Sequence, residues 1–518
     1  MNRKLISVVA AFAGVLVVPT LAAAATTPTP LVPPAIPGVA PLPGAPAAPA
    51  QAAASMGLLT TTPDIGVPGT SFTVSGSGLP ANKDVALTWS TANVTWLVDA
   101  RADSVDYLGR QATKFAVVLA TAKTDANGSF RIGLVAPKDW GGIHDLYAVV
   151  DRFQVAKGGF LVARSASITP KKGPIGTMIT VTYNGLGSSL YEGGAALLYD
   201  NKFSGAMMAN WTRGVAVAHI RAAGPVGMHT IEVADAISFK YLNIEQSPIP
   251  WGTGELFKFR VTKDPGRPAP RLDWPVNVAP TLDAKTTLQA TGLAAGGEAT
   301  ARLSSSAGIV ESKVDLNASG LTPGASVDLQ WSTVVGNRVN CTGTCWSFVS
   351  VPLGTATAGA DGTLAARVTI PDGLGGWHVV QLLQNGQVKA QLPYYVKRSI
   401  VGKGVSSLVL KAGQRFTVHL KGLGWTQLDN TIAVDYDNSY VGYGCGFNSN
   451  GDVVMNLVAT GAPGTHLIDM YPLLYTQQPS YPNTPYGMVP VLTYEKDLPG
   501  LALGYQLGAI RLAITVVK

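Results

Sequence analysis

Four short stretches of the chain share one alternation of apolar and polar positions. Each begins with Gly-x-His and continues with an apolar residue at every second position. Their first residues are Gly142, Gly227, Gly376 and Gly464. A period of two is typical of a β-strand with one face against a core. In the second stretch His229 shares a face with Ile231 and Val233, so the pattern predicts that the histidine lies in the core-facing row.

A turn precedes each of these strands at a nearly constant distance. The spacing from Gly128 to His144 equals the spacing from Gly362 to His378. In the second and fourth stretches the turn glycine lies one position closer to the histidine. The repeat therefore comes in two kinds, and their order along the chain is A-B-A-B.

Longer alignments extend the duplication. SGLPANKDVALTWS, from Ser77, aligns with SGLTPGASVDLQWS, from Ser319, and places Trp89 on Trp331. Strand patterns recur at intervals of about 8–12 residues, and we find no convincing amphipathic helix. The sequence therefore predicts an all-β fold of four tandem β-sandwich domains arranged as a duplicated A–B pair.

Composition shifts and repeats set the expected boundaries. The expected segments are a signal peptide at 1–25, a Pro/Ala-rich spacer at 26–56, A1 at 57–164, B1 at 165–264, a linker at 265–277, A2 at 278–397, B2 at 398–497 and a C-terminal tail at 498–518. The tail is apolar but interrupted by Gln506 and Arg511, which favours a strand over a segment that sticks to a partner or the envelope.

The N-terminus has the features of a secretion signal. Arg3 and Lys4 precede an apolar stretch that is short for a membrane span, and small alanines follow it. We predict cleavage near Ala25; the alternative is an uncleaved membrane anchor. No later stretch is expected to span a membrane, so the mature chain is expected to be secreted or at the cell surface.

The charge balance argues against a nucleic-acid partner. Cleavage removes two of 38 basic residues and leaves 38 − 2 = 36 against 31 acidic residues. These charges are scattered and form no basic cluster of the kind that binds nucleic acid or membranes.

One segment carries a family resemblance. ITPKKGPIGTMITVTYNGLG, at the start of B1, resembles the opening of immunoglobulin-like IPT/TIG domains. TDANGSF followed by a Gly-x-His strand is similar to bacterial extracellular immunoglobulin-like repeats. The resemblance covers most of residues 57–497. It implies four immunoglobulin-like sandwiches and an extracytoplasmic role, and it transfers no catalytic residue.

Two patterns resemble metal sites but favour structural roles. The four repeated histidines lie one per predicted sandwich, whereas zinc ligands must converge on one ion. The stretches Asp125–Gly128 and Asn448–Asp452 resemble calcium loops but lack the bidentate glutamate of an EF-hand. Asn-Gly and Asp-Gly are also strong hairpin-turn signals. We therefore expect no metal ligands and no cofactor, with calcium between domains as the alternative.

The three cysteines suggest little cross-linking. Cys341 and Cys345 lie in one loop, and Cys445 lies one predicted domain away. We predict that Cys445 is not bonded to either of the others. If a disulfide forms, it closes the short loop; two cysteines at this spacing are also a weak zinc signal.

The sequence contains none of the common enzyme motifs. It has no nucleophile elbow, zinc-protease helix, phosphate loop or dinucleotide fingerprint. We therefore expect a non-catalytic array for adhesion or for envelope or extracellular structure. A secreted hydrolase is a distant alternative.

The B-type segments carry unusually long connections after the histidine strand. Hairpin loops usually have two to five residues, and longer ones tend to be functional. The aromatic residues that we expect to bind a partner are Tyr241, Trp251, Tyr475, Tyr481 and Tyr486. The partner would be a cell-surface protein or a polysaccharide, and the polysaccharide case defines a second hypothesis, a carbohydrate-binding protein. The competing interpretation is that these loops cover a sheet edge.

Overall fold

The computed structural model describes residues 56–100, 105–188, 193–236, 239–246, 254–275, 298–337, 346–402, 405, 407–478 and 481–518. Of these residues 61% are in strands and 2% in helix, so the fold is nearly all β, as the alternation predicted. The expected signal peptide and nearly all of the expected spacer lie outside the described residues. Within the described part, no helix is long and apolar enough to cross a membrane.

A1 and B1 each contain eight described strands. Those of A1 are β1 (Gly57–Thr62), β2 (Ile65–Gly66), β3 (Ser71–Gly76), β4 (Asp84–Ala100), β5 (Val105–Lys123), β6 (Phe130–Val135), β7 (Gly142–Val150) and β8 (Phe153–Val162). Those of B1 are β9 (Ser165–Thr169), β10 (Lys172–Gly173), β11 (Met178–Asn184), β12 (Gly194–Tyr199), β13 (Lys202–Met208), β14 (Val215–Arg221), β15 (Gly227–Asp235) and β16 (Glu255–Val261). A 3₁₀ turn at Ile244–Gln246 precedes β16.

The second half begins with a strand in the expected linker, β17 (Arg271–Asp273). The strands of A2 are β18 (Thr300–Leu303), β19 (Ala307–Gly308), β20 (Lys313–Ser319), β21 (Ser326–Gly336), β22 (Trp346–Thr357), β23 (Leu364–Thr369), β24 (Gly376–Gln384) and β25 (Gln387–Val396). Those that follow are β26 (Ser399–Ile400), β27 (Val409–Lys411), β28 (Arg415–Lys421), β29 (Thr431–Tyr436), β30 (Ser439–Cys445), β31 (Val453–Val458), β32 (Gly464–Gln478), β33 (Tyr481–Pro490) and β34 (Ala509–Val517), with a 3₁₀ helix at Pro499–Leu503 before the last strand.

The same strand order recurs along the chain. In B1 a three-stranded sheet, β9-β11-β14, accompanies a five-stranded sheet, β10-β16-β15-β12-β13. In A2 the sheets are β18-β20-β23 and β19-β25-β24-β21-β22. In B2 they are β26-β28-β31 and a seven-stranded sheet with the order β34-β32-β29-β30, in which β27 and β17 both pair with β34 and β33 pairs with β32. In A1 the corresponding layers share β1, which pairs parallel with β8 and antiparallel with β3.

Apolar side chains fill the space between the two layers. In A1 the core joins Phe72 of β3 to Leu146 of β7 and to the indole of Trp89, which is fully buried. In A2 Trp331 occupies the equivalent core position and is 3% exposed. The residue two positions before each tryptophan is also in the core, which is the arrangement that a period of two predicts.

Two segments set apart in the sequence belong to the large sheet of B2. The expected tail, 498–518, contributes β34, which pairs antiparallel with β32 from Gly464 to Met470. The expected linker, 265–277, contributes β17, which pairs with the start of β34. The nearly continuous apolar run of β34 accounts for this, because a strand inside a sheet that is covered on both sides buries both of its faces.

The expected B2 loop and the stretch around Trp96 are both paired strands. β4 and β5 pair from Asp84 to Ala100, so the stretch around Trp96 and Tyr107 is strand; we call this hairpin the A1 arm. β32 and β33 likewise continue pairing through much of the expected B2 loop. β-Branched and aromatic residues in both stretches favour extended pairing over irregular loop structure.

The A-type and B-type segments meet through one repeated contact. The Gly141 N–H donates to the Leu186 carbonyl at 2.9 Å, and the Gly375 N–H donates to the Leu423 carbonyl at 2.9 Å. A Cβ on Gly141 would lie 1.7 Å from the oxygen of Gly185, and a Cβ on Gly375 would meet the equivalent carbonyl at 1.8 Å. We call these contacts the A–B joints; both require glycine because the two backbones touch.

Candidate functional site

The structure describes part of the aromatic set predicted from the sequence. Tyr241 lies beside Phe239 and Leu242 in the connection after β15; these side chains are 42%, 61% and 80% exposed. Trp251 lies outside the described residues. The backbones of Tyr475, Tyr481 and Tyr486 lie in the β32–β33 hairpin, where Thr476 pairs with Tyr486 and Gln478 with Tyr481. Whether these residues bind a partner remains a prediction.

Edge strand β13 brings the two B-type connections together. The ring of Phe203, on β13, lies 4.6 Å from that of Phe239 and 6.5 Å from that of Tyr440 on β30. On its other side β13 approaches the end of β33, where the Leu492 N–H donates to the Ala206 carbonyl at 2.9 Å. We call Phe203, Phe239, Tyr241, Leu242 and Tyr440 the aromatic surface.

Sequence reasoning missed Phe203 and Tyr440, although a signal was present. The separation of these two residues along the chain equals the separation of His229 and His466. Each follows a two-residue turn, Asp200-Asn201 or Asp437-Asn438, in which both residues have positive φ. Asp and Asn tolerate this left-handed region better than most residues, which explains the local sequence. An aromatic residue two positions after such a turn in both B-type segments is the signal.

A groove lies where the equivalent corners of B1 and B2 face each other. Its volume is about 330 Å³, and equivalent residues such as Asp200 and Asp437 line it from the two sides. Asp264 completes the lining and accepts the N–H groups of Gly266 and Thr465, both at 2.8 Å. Burial opposes the charge of Asp264, but these N–H groups hold its pKa below the ordinary value. The groove thus presents carboxylates that can accept hydrogen bonds from hydroxyl or amine groups.

The four repeated histidines are buried, and their contacts follow the A-type and B-type division. In A1 the ring of His144 stacks on Trp89 at 4.3 Å, and its nitrogens lie 2.7 Å from the carbonyls of Ser90 and Trp140. In B2 Nδ1 of His466 lies 2.6 Å from a carboxylate oxygen of Asp437, and Nε2 lies 2.8 Å from the Ala462 carbonyl. Each ring therefore bridges two parts of its own segment.

The other two histidines repeat these arrangements. In A2 the ring of His378 stacks on Trp331 at 4.7 Å and lies between the carbonyls of Ser332 and Leu374. In B1 Nδ1 of His229 lies 2.6 Å from Asp200. In the part of the chain that the structure describes, no group of three or more His, Cys, Asp or Glu side chains is placed to hold a metal ion.

The pKa values of His378 and His466 are shifted in opposite directions. Burial lowers the pKa of His378 to about 4. Burial also opposes the charge of His466, but the hydrogen bond and the charge of Asp437 raise its pKa above the ordinary value. An NMR titration of the imidazole protons should find His378 neutral and His466 still charged near pH 6. Equal midpoints for the two rings would contradict this assignment.

The structure describes only one of the three cysteines in the cysteine prediction. Cys341 and Cys345 lie outside the described residues. Cys445 lies on β30 and is exposed. The expectation that Cys445 is bonded to neither of the others therefore stays a prediction, for which non-reducing peptide mapping is the check.

Buried ion pairs join B1 to B2. Nη2 of Arg221, on β14, lies 2.5 Å from Oδ1 of Asp469 on β32. Nη1 of Arg511, on β34, lies 3.2 Å from Oδ2 of the same aspartate, and Nε of Arg511 contacts Asp273 of β17. Arg221, Arg511 and Asp469 are at most 4% exposed. We call these four residues the ion-pair cluster.

No family model matches the chain, and no curated protein matches it. Among solved structures, E. coli alpha-2-macroglobulin is 8% identical over 88% of this chain, with a TM-score of 0.17, and this chain covers 30% of it. The E. coli adhesin FdeC is 12% identical over 66% of this chain and 96% of its own, with a TM-score of 0.15. A putative membrane-anchored protein of Corynebacterium diphtheriae is 12% identical over 66% of this chain and 89% of its own, with a TM-score of 0.16. Likenesses at this level carry no argument about function.

Proposed function

We propose that this protein is a non-catalytic secreted or cell-surface protein that serves adhesion or envelope or extracellular structure. Its four segments are immunoglobulin-like, IPT/TIG-like sandwiches arranged as a duplicated A–B pair. They form one rigid body, and the aromatic surface of the B-type segments contacts the partner. The observation that carries this proposal is the repeated A–B joint.

The A–B joints support a duplicated pair over four independently added domains. Gly141 and Gly375 occupy equivalent positions, because each directly precedes a Gly-x-His motif of the A type. Equivalent contacts at both places are expected if an A–B unit was duplicated with its internal joint intact. They also fix the angle between the two sandwiches, since backbone groups in direct contact leave little freedom of rotation.

Further contacts support one rigid body. Trp96 of the A1 arm donates its indole N–H to Asp497 at 2.6 Å, and the Tyr107 N–H donates to Gln427 at 3.2 Å. In the second half, Trp377 of A2 donates its indole N–H to the Leu503 carbonyl at 3.0 Å. One apolar core includes residues of all four segments. A rigid array with this many internal contacts is suited to present a surface at a fixed orientation.

The carboxyl pair in the joint between B1 and B2 is not placed for catalysis. Asp435 and Asp469 lie opposite each other on β29 and β32, but they are 1% and 2% exposed. A glycoside hydrolase that uses two carboxyl groups needs both open to substrate and water. This pair is instead covered by the joint between B1 and B2.

The second candidate function is polysaccharide binding by the same surface. Phe239 is 61% exposed although it contacts Phe203, and Tyr241 adds a phenol close by in the same connection. Exposed aromatic rings with polar groups are adaptable contact residues. The groove with Asp200 and Asp437 adds acceptors for hydroxyl groups.

Replacing the exposed aromatic residues tests both candidates. The double variant Phe239→Ala, Tyr241→Ala should weaken binding to cells by at least about tenfold, because each buried anchor contributes about 1–3 kcal/mol. The melting temperature should hardly change. A glycan array with the same variant separates the two candidates: loss of array binding assigns the surface to polysaccharide. The Tyr481→Ala, Tyr486→Ala variant tests the B2 hairpin in the same way.

The control replaces apolar residues of A1 that are more exposed than Phe239 and Tyr241. Leu58 and Ile143 are each 77% exposed, and their joint replacement by alanine should leave binding unchanged. If the aromatic variants bind normally, the partner surface lies elsewhere. If they instead lose thermal stability and keep binding, the connections serve as edge covers.

A further inference from the structure

One buried carboxyl group in the joint between B1 and B2 has no role in the proposed function. Asp435 lies on β29 at a break in register with β30, and it is 1% exposed. Within the described residues, neither of its carboxyl oxygens has a hydrogen-bond partner. A buried carboxylate without donors is far less stable than the neutral acid.

The surroundings of Asp435 have no spare positive charge. The charged or titratable groups around it are Asp469 and Tyr471 on β32, Tyr440 on β30, Arg511 on β34, Arg221 on β14 and Asp273 on β17. In the ion-pair cluster two guanidinium groups balance two carboxylates. Arg271 also contacts Asp273, but its side chain is 65% exposed. An ionised Asp435 would therefore add an unbalanced negative charge opposite Asp469.

We propose that Asp435 carries a proton while the joint between B1 and B2 is closed, and that the joint is a lock that loosens as pH rises. Burial and the charge of Asp469 raise the pKa of Asp435 well above its ordinary value, and Arg511 opposes this only in part. The alignment that places His229 on His466 makes Leu198 the equivalent residue in B1. The fold therefore does not require a carboxyl group at this position.

The sign of the pH dependence follows from proton linkage. In the closed joint Asp435 keeps its proton, whereas in an open joint or an unfolded chain it ionises near pH 4. Between that pH and the raised pKa, the open state therefore binds one proton fewer than the closed state. The opening equilibrium constant should rise about tenfold per pH unit in this range, so the lock is strongest in acid.

Amide hydrogen exchange across pH 6–9 measures this opening directly. After correction for the intrinsic exchange rate, protection of β13 and β30 should fall with rising pH in the native protein. In Asp435→Asn, which resembles the protonated acid, the contribution of Asp435 is absent, so protection should fall less steeply with rising pH than in the native protein. The matched control is Asp151→Asn, in an exposed A1 turn at φ 47°, which should behave as the native protein does. Parallel pH profiles for the native protein and Asp435→Asn would overturn the proposal.

Two other groups also weaken the folded state as pH rises, so their contributions must be distinguished from that of Asp435. Burial raises the pKa of Asp497 to about 7, and His466 also has a raised pKa. Subtracting the pH profile of Asp435→Asn from that of the native protein removes both contributions.

Infrared difference spectra of protein labelled with ¹³C-aspartate report the protonation state of the aspartates directly. At pH 6 the native protein should show a stronger protonated carboxyl band than Asp435→Leu, a second variant that copies Leu198. Equal bands in the two proteins overturn the proposal even if Asp435→Asn fails to fold.

Discussion

Arg511→Met is expected to destabilise the protein by about 3–5 kcal/mol, because it removes one partner from a buried ion-pair cluster. Arg511 is 1% exposed and contacts the carboxylates of Asp273 and Asp469. It also donates to the Tyr471 hydroxyl at 3.1 Å and to the His219 carbonyl at 3.1 Å. Methionine fills much of the same volume, so the loss reports mainly on Asp469 and Asp273, which keep only Arg221 and Arg271 as cationic partners.

Arg367→Met is the matched control for this change. Arg367 pairs with Asp315 at 2.6 Å, but the two side chains are 66% and 50% exposed. Exposed pairs contribute at most about 1 kcal/mol, so this variant should unfold almost as the native protein does. Chemical denaturation followed by tryptophan fluorescence measures both. Similar losses in the two variants would show that the buried cluster does not hold B1 to B2.

The second large effect is expected at the A–B joints. Gly141→Ala and Gly375→Ala each place a Cβ less than about 2 Å from a backbone carbonyl oxygen of the neighbouring segment. Backbone cannot move aside as a side-chain end can, so each change should destabilise its joint by more than about 3 kcal/mol. Because the joints are equivalent, the two variants should lose similar amounts of stability.

Gly133→Ala is the control, since a Cβ on Gly133, in β6, would meet no atom within 4 Å. It should keep its melting temperature or gain slightly, because alanine restricts the unfolded chain more than glycine does. Differential scanning calorimetry of the three variants decides the matter. Stable Gly141→Ala and Gly375→Ala variants would mean that the backbones do not touch at these joints.

The alternation of apolar residues predicted much of what lies inside one segment. It predicted the nearly all-β fold and the buried faces of the Gly-x-His strands. These features depend on a period of two that each strand carries by itself. The same reasoning placed a loop around Tyr481, where strands continue. Aromatic and polar residues in that stretch suit either a loop or an edge hairpin, and only pairing with a neighbour decides between them.

The local sequence contains almost no indication of the contacts between segments. Arg221 and Asp469 are far apart in the chain, and neither stands out among its neighbours. Pairing of β17 with β34 depends on two segments that lie outside the repeats. Only a comparison of repeats can reveal such positions, as for Phe203 and Tyr440, which share one offset. Comparison of the repeats does not reveal Asp435, because its equivalent in B1 is a leucine and no neighbouring residue distinguishes the position.

We propose that the described residues between 56 and 518 form one rigid body through the two A–B joints and the ion-pair cluster. Small-angle X-ray scattering of this part of the chain tests it most directly. A single compact unit of this length should have a radius of gyration of about 23 Å, and the Gly141→Ala, Gly375→Ala double variant should have a larger one. A native radius far above that value, unchanged in the double variant, would contradict the account, because it would describe four sandwiches moving independently.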